Sequence, residues 1–369
     1  MTNATDACDV VVIGGGPAGT CAALAVARAG ARVVLFERAE FPRAKVCGSC
    51  LAPSGIEALR GLDALDAVAD ARPLRSVRVA CRKRALSIDR PAGVAIGRSE
   101  LDARLLDRVR SAGVEVAVGA AARVAAPGLV RAGERSLRTA AIVVADGLGG
   151  CALDEVPGFG WKVARRSRLG FGAILPAGAV DCAPGEILLR VAPGGYIGAV
   201  VLPDGSIDVA AACAPGVLRA FGGPAACAAA WLAGDAHDLA ALRAARWKGT
   251  PLLTRRRARL ACDGIVVAGD AAGYAEPFTG EGMGWAMATG SAAGELAAKV
   301  ARGEARCEAW PAIHAGIVRA ARLRCLAIAA FLRQPAIVGA TLAVGAAWPR
   351  PFESLARRIG RPAGEAVAR

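Results

Sequence analysis

The first apolar run of the chain, Cys8-Asp9-Val10-Val11-Val12-Ile13, is short and β-branched, the pattern of a strand buried in a parallel sheet. It runs directly into Gly14-Gly15-Gly16-Pro17-Ala18-Gly19. Thr20 to Ala29 has helical character, Gly30 ends that helix, and Arg32 to Phe36 gives a second strand closing on Glu37. This is one βαβ unit. Residues 74–90 read as short strands separated by basic turns. Ser99 to Ala112 reads as a helix capped by Ser99, with Leu101, Leu105, Leu106 and Val109 on its apolar face. Val114 to Val118 and Ala141 to Ala145 then return to the sheet. From about Trp161 the period changes. Leu169 to Leu175, Glu186 to Val191, Tyr196 to Leu202 and Ile207 to Cys213 are strand-length pieces joined by turns such as Pro193-Gly194-Gly195 and Pro203-Asp204-Gly205. That spacing predicts an antiparallel sheet inserted into the first unit. Ile265 to Ala268 is again a buried strand, and the remainder is helical.

The fold expected is therefore α/β: a Rossmann-like, mostly parallel sheet with helices around it, an inserted antiparallel β domain for substrate, and a helical C-terminus. Residues 1–158 and 250–305 form the discontinuous dinucleotide-binding part, 159–249 the substrate sheet, and 306–369 the helical region. A length of 369 residues suffices for that core. The net charge of +14 raises nucleic-acid binding as a candidate, but the cations are scattered and aromatic residues make up only 4% of the chain, too few for stacking platforms. Nucleic acid is not an expected partner. The twelve cysteines are spread singly apart from Cys47 and Cys50, so neither a disulfide framework nor a metal site is expected. A polar start and the lack of a long apolar run predict a cytoplasmic protein. In the tail, Arg319, Arg322, Arg324 and Arg333 interleave with apolar residues; this region is expected to close the back of the substrate domain, with peripheral contact to an anionic membrane as the alternative.

Gly14, Gly16 and Gly19 have the G-x-G-x-x-G spacing. Gly14 permits the tight turn, Gly16 lets the backbone approach a pyrophosphate, and Gly19 lets the helix pack closely on the strand. Glu37, about 20 residues on, is placed to accept from a ribose hydroxyl. A second motif decides between NAD and FAD. Gly264-Ile265-Val266-Val267-Ala268-Gly269-Asp270 puts a carboxylate at the end of a strand, within reach of a polyol hydroxyl. Gly280 and Gly282 then expose amides at the start of a helix, where negative charge on a reduced flavin ring is stabilised.

With these motifs the sequence resembles FAD-dependent oxidoreductases of the glutathione-reductase-like fold, in the branch holding geranylgeranyl reductases and p-hydroxybenzoate-hydroxylase-like monooxygenases. The resemblance rests on the segments Val10–Arg38 and Gly264–Gly290, and on Arg98-Ser99-Glu100-Leu101-Asp102. It implies that Gly14, Gly16, Pro17, Ala18 and Gly19 cradle the FAD pyrophosphate. Glu37 would lie at the adenosine ribose, with Arg38 also in the cofactor site, Arg98 at the ribityl–phosphate region, and Val124 at the adenine through its backbone. Gly269 and Asp270 would hold the ribityl or pyrophosphate end, with Pro277, Gly280, Gly282 and Met283 under the isoalloxazine. Asp146 either contacts FAD or caps a turn.

The stretch Phe41 to Leu51 looks like the cysteine-glycine segment of the reductase branch. Cys47 there could face substrate or donate a proton; Cys50 reads as structural. Reductases of prenyl chains carry a P-x-x-Y-x-W-type segment, and Pro193-Gly194-Gly195-Tyr196-Ile197-Gly198 keeps Pro and Tyr but has Gly198 where Trp is expected. Tyr196 is the second catalytic candidate. The Ala145-Asp146-Gly147 segment begins like the NADPH-binding stretch of hydroxylases but lacks its Ser and Arg, so NADPH or NADH would use a transient site, or an external reductase would supply electrons. His237 and His314 read as solvated or packed. The expected function is an FAD-dependent oxidoreductase acting on a hydrophobic small molecule, by alkene reduction or aromatic hydroxylation. A halogenase-like enzyme and a non-catalytic flavin- or nucleotide-binding protein are the alternatives; the W-x-W-x-x-P segment of halogenases is absent.

Overall fold

The computed structural model describes residues 6–276 and 280–348. The strand Asp6–Ile13, the helix Pro17–Arg28 and the strand Val33–Phe36 form the expected βαβ unit, with Val10 pairing in parallel with Val33. Around it a sheet assembles in the order Ala261–Cys262, Ile265–Val267, Arg135–Val144, Asp6–Ile13, Val33–Phe36, Glu115–Ala117. All of these neighbours are parallel except the first pair. Both faces are covered, which is why the strands read as unbroken apolar runs. One face packs against the helices Pro17–Arg28, Arg98–Ser111 and Gly282–Ala301. Leu101, Leu105, Leu106 and Val109 are fully buried there, as their spacing predicts. That helix begins one residue before Ser99, however. Gly97 is its N-cap, and no side chain supplies the cap bond.

Glycines set how closely the helices Pro17–Arg28 and Gly282–Ala301 approach. A Cβ on Gly290 would fall 2.1 Å from the Ala18 carbonyl oxygen, and one on Gly294 would fall 2.3 Å from that of Ala22. The long helix Gly282–Ala301 therefore lies directly against the glycine-turn helix, and its N-terminus is aimed at the same cavity.

The second sheet has eight strands in the order Lys248–Leu252, Leu169–Leu175, Ile207–Cys213, Gly195–Val201, Glu186–Ala192, Arg72–Cys81, Arg84–Ala95, Cys50–Leu51. Two features depart from the sequence reading. Residues 72–95 were expected with the 1–158 segment, but they form a hairpin of this second sheet. They join it in parallel, Ser76 opposite Glu186, so the sheet is mixed rather than purely antiparallel. The parallel pairing brings together strands far apart in sequence, which no local pattern announces.

The helices Trp310–Phe331 and Pro335–Ala347 are the last elements among the described residues. They are bent by 101° relative to each other, and no single helix among the described residues is long and apolar enough to cross a membrane. The second of them is tied to the sheet hairpin: the Arg84 guanidinium donates to the Gly339 carbonyl at 2.8 Å and the Cys81 thiol to that of Pro335 at 3.4 Å.

Candidate functional site

A single cavity of about 860 Å³ runs from the glycine turn to the C-terminal helices. Its first part is polar. Gly14 has φ +112°, and a Cβ there would fall 2.3 Å from the Ala145 carbonyl oxygen, so only glycine fits. A Cβ on Gly19 would meet the Gly14 oxygen at 1.7 Å, which fixes the close helix–strand approach. Gly14, Gly16, Pro17 and Ala18 line the cavity at the helix N-terminus. The Glu37 carboxylate accepts from the Gly15 amide at 2.8 Å and the Ala39 amide at 2.9 Å, closing the turn at the end of the second strand. Glu37 and Arg38 both reach the cavity wall.

Arg98 is the hub of this end. Its guanidinium makes two bonds to the buried Asp102 carboxylate, at 2.9 and 2.8 Å. Desolvation alone would lower the Arg98 pKa, but Asp102 holds it above the ordinary arginine value. Arg43, unrecognised in the sequence, joins it: Nη2 lies 3.3 Å from Asp102 and 3.6 Å from Glu37. The Arg43 Nε and Nη1 atoms are buried with no hydrogen-bond partner among the described residues. A Cβ built on Gly16 would lie 3.5 Å from Arg43 Nη2 and 4.0 Å from Arg98 Nη2. Two guanidiniums thus face a bare glycine turn at a helix N-terminus, with donors to spare. That arrangement fits a pyrophosphate.

Asp270 lies opposite. Desolvation pushes its pKa up to about 6 against the pull of Arg98 and Lys45. Asp270, Gly280, Gly282 and Met283 all line the cavity. Pro277 lies outside the described residues. Gly269 does not line the cavity: its φ is +59°, and its amide donates to Thr289 Oγ1 at 3.1 Å, so it shapes the turn. Val124 also departs from expectation. Its amide donates to the Ala152 carbonyl at 3.0 Å and its side chain is in the core, while Ala120, Ala121 and Ala122 supply the wall. Asp146 both caps and lines: one carboxylate oxygen accepts from the Ala152 amide at 2.9 Å, and Oδ1 is buried without a partner among the described residues.

Beyond Cys47 the cavity becomes apolar. Small residues, Gly170, Gly198, Ala210 and Ala212, form part of its wall, and Leu86, Leu253, Ile328 and Leu342 add larger apolar surface. A Cβ on Gly198 would lie 3.0 Å from the Leu189 side chain and 3.1 Å from the Leu188 carbonyl oxygen, so a larger residue there would require this wall to shift. Cys47 and Tyr196 both line this cavity, Cys47 beside Arg98 and Tyr196 near the C-terminal helices. Burial raises the Cys47 thiol pKa although Arg98 opposes it. Desolvation, then the charge of Glu276, holds Tyr196 well above the usual phenol range. Both are therefore protonated at neutral pH. Behind Tyr196, Arg168 and Glu276 form a buried pair at 2.6 Å, with the guanidinium 5.6 Å from the ring centroid.

Asp208 was also missed. It sits in an otherwise apolar strand and accepts a hydrogen bond from the buried Ser49 hydroxyl, which ties the Cys47–Cys50 loop to the second sheet. Desolvation pushes its pKa up to about 7 against that bond and Arg98. An acid within an inward-facing apolar strand was the available signal. Cys47 and Cys50 are both free thiols. His314 is packed against Trp310, and burial lowers its pKa to about 4.

Comparison with known proteins agrees with this geometry. The family described as FAD dependent oxidoreductase matches residues 9–42. The chain has the fold of FAD-binding flavoproteins. It is similar to the flavin-dependent brominase Bmp2, with a TM-score of 0.79 and 19% identity over 96% of this chain and 93% of that one. It is also similar to a geranylgeranyl bacteriochlorophyll reductase-like protein from Thermoplasma acidophilum, with a TM-score of 0.72 and 18% identity over 89% and 88% of the two chains. In sequence, 123 residues are 37% identical to menaquinone reductase of Mycobacterium tuberculosis, a stretch covering 32% of this chain and only 30% of that relative.

Proposed function

We propose that this chain is an FAD-dependent reductase that saturates a carbon–carbon double bond in a prenyl-like hydrophobic substrate. The observation that carries the reading is the continuity of the cavity, polar and arginine-lined at the glycine turn and apolar beyond Cys47. The curated relative named menaquinone reductase, similar over the shared stretch, supports a lipid-like substrate.

FAD, when bound, supplies two-electron chemistry. Gly16, Pro17, Ala18, Arg43 and Arg98 would hold its pyrophosphate, Glu37 its ribose, Asp270 its ribityl chain, and Gly280 to Met283 would border its ring. Asp102 keeps Arg98 charged and aimed. The Cys47 thiol stands where the polar and apolar parts meet. Its raised pKa keeps the S–H intact, so it suits proton donation to a strongly basic carbon rather than nucleophilic attack. Tyr196, also protonated, can donate a hydrogen bond to a polar substrate group. The apolar wall excludes water from the reacting carbon.

The test is conversion of a prenylated quinone by the dithionite-reduced holoprotein, with and without oxygen. Anaerobic formation of a product heavier by two hydrogens is the expected result. A product formed only in oxygen, and carrying one of its atoms, would replace this reading with hydroxylation.

A further inference from the structure

The helix Pro335–Ala347 presents two apolar faces. Val338, Gly339, Leu342 and Gly345 are buried toward the second sheet. The opposite face is exposed, with Ile337 at 55%, Val344 at 52% and, just past the helix end, Trp348 at 73%. Ala336, Ala340 and Ala347 fill the positions between them, so this exposed stripe carries no charge over the helix. A solvent-facing helix surface ordinarily carries polar residues there. The preceding helix continues the pattern, with Leu323 at 60% exposure.

Charge identifies the occupant. From Ala309 to Trp348 the sequence has no acidic residue and carries Arg319, Arg322, Arg324 and Arg333; Arg324 is paired with Glu281 at 3.5 Å and Arg333 donates to the Arg166 carbonyl, while Arg319 is exposed. An apolar helix face with no carboxylate in its own sequence, next to a helix that carries arginine, matches an anionic bilayer, where the helix lies in the headgroup layer. The 101° bend between the two helices rules out one straight span and suits a pair lying along a surface. The same pair is also a cavity wall: Ile328, Leu332, Thr341 and Leu342 line it from inside, and Phe331 is both lining and 38% exposed.

We propose that the outer face of the helix Pro335–Ala347, with the arginines of the preceding helix, docks on an anionic lipid surface, and that lipid-like substrate reaches the cavity between these two helices. The docking half stands on the surface alone; the access half rests on the function proposed above.

The test is flotation of the FAD-loaded protein with vesicles of phosphatidylcholine alone or mixed equally with phosphatidylglycerol, without substrate. The wild type is expected to float with the mixed vesicles and to be released by high salt. Ile337→Gln combined with Val344→Gln should lower the bound fraction about tenfold, and Arg319→Ala should lower it severalfold on the mixed vesicles only. Unchanged flavin absorbance shows that the variants remain folded. A wild type that stays off both vesicles overturns the proposal, as does a variant that floats equally well. So does sedimentation showing a dimer that the Gln variants dissociate, since the face would then belong to a second copy. Because no turnover is measured, docking can stand even if the reductase reading fails. Access is tested separately: the Gln variants should lose vesicle-borne substrate turnover but keep that of a detergent-dispersed one, and equal loss of both would refute it.

Discussion

The two ends of the cavity use opposite physics. At the glycine turn, position is set by charge and backbone: Arg98, Arg43, Asp102 and Glu37 form one connected group around amides that only glycine can expose. At the second sheet, position is set by absence, since glycines and alanines leave volume and apolar side chains exclude water. A site of the first kind fixes one ligand closely, whereas one of the second tolerates many of similar shape. The first end should therefore fail abruptly when mutated and the second should retune.

The largest effect expected is at Arg98. Arg98→Ala leaves the Asp102 carboxylate buried with only Arg43 nearby, and breaking such a pair costs about 3–5 kcal/mol. Flavin absorbance after purification should fall by about tenfold or more, from lost affinity and stability together. Retention of full FAD by this variant would show that the arginine group does not hold the cofactor. At the other end, Ala210→Phe should leave flavin content unchanged while cutting turnover of a long substrate by about tenfold, with a shorter substrate less affected. Loss of flavin in that variant would mean that the two ends are not separable. Tyr196→Phe should bind FAD normally and lower turnover severalfold, read as kcat at saturating substrate.

The last effect is on stability rather than turnover and concerns Asp208, which does not itself line the cavity. Its carboxyl is near 7 in the folded protein, against an ordinary value of 3.8. The folded state thus binds the proton more tightly than the unfolded one, and stability falls as pH rises from about 4 to about 7. Above pH 7 the penalty is constant. Asp208→Asn keeps an acceptor for Ser49 and removes the penalty, so its stability relative to wild type should increase across that window by on the order of 4 kcal/mol. Urea unfolding at several pH values reads it; parallel curves for the two proteins would contradict the assignment.

What the sequence revealed follows the same division. Gly14, Gly16 and Gly19 were legible because a turn against a carbonyl leaves no alternative residue, and Asp270 because a strand end precedes it. The strands between Leu169 and Cys213 were legible from their turns. Arg43 was not, because one arginine in a basic loop carries no mark of the buried carboxylates it will meet. The hairpin 72–95 was misplaced because its alternation suits either sheet, and only a parallel partner more than 100 residues away decides. Val124 was carried over by resemblance, and the wall shifted to Ala120–Ala122.

The claim on which the rest depends is that one cavity brings FAD and an apolar substrate together. Titrating FAD into the flavin-free protein, and then a prenylated quinone into the complex, tests it through the visible spectrum of the bound flavin. The account predicts saturable uptake of one FAD per chain, followed by a spectral shift as the second ligand enters. A protein that takes up no FAD, or a bound flavin whose spectrum is blind to the quinone, would contradict it.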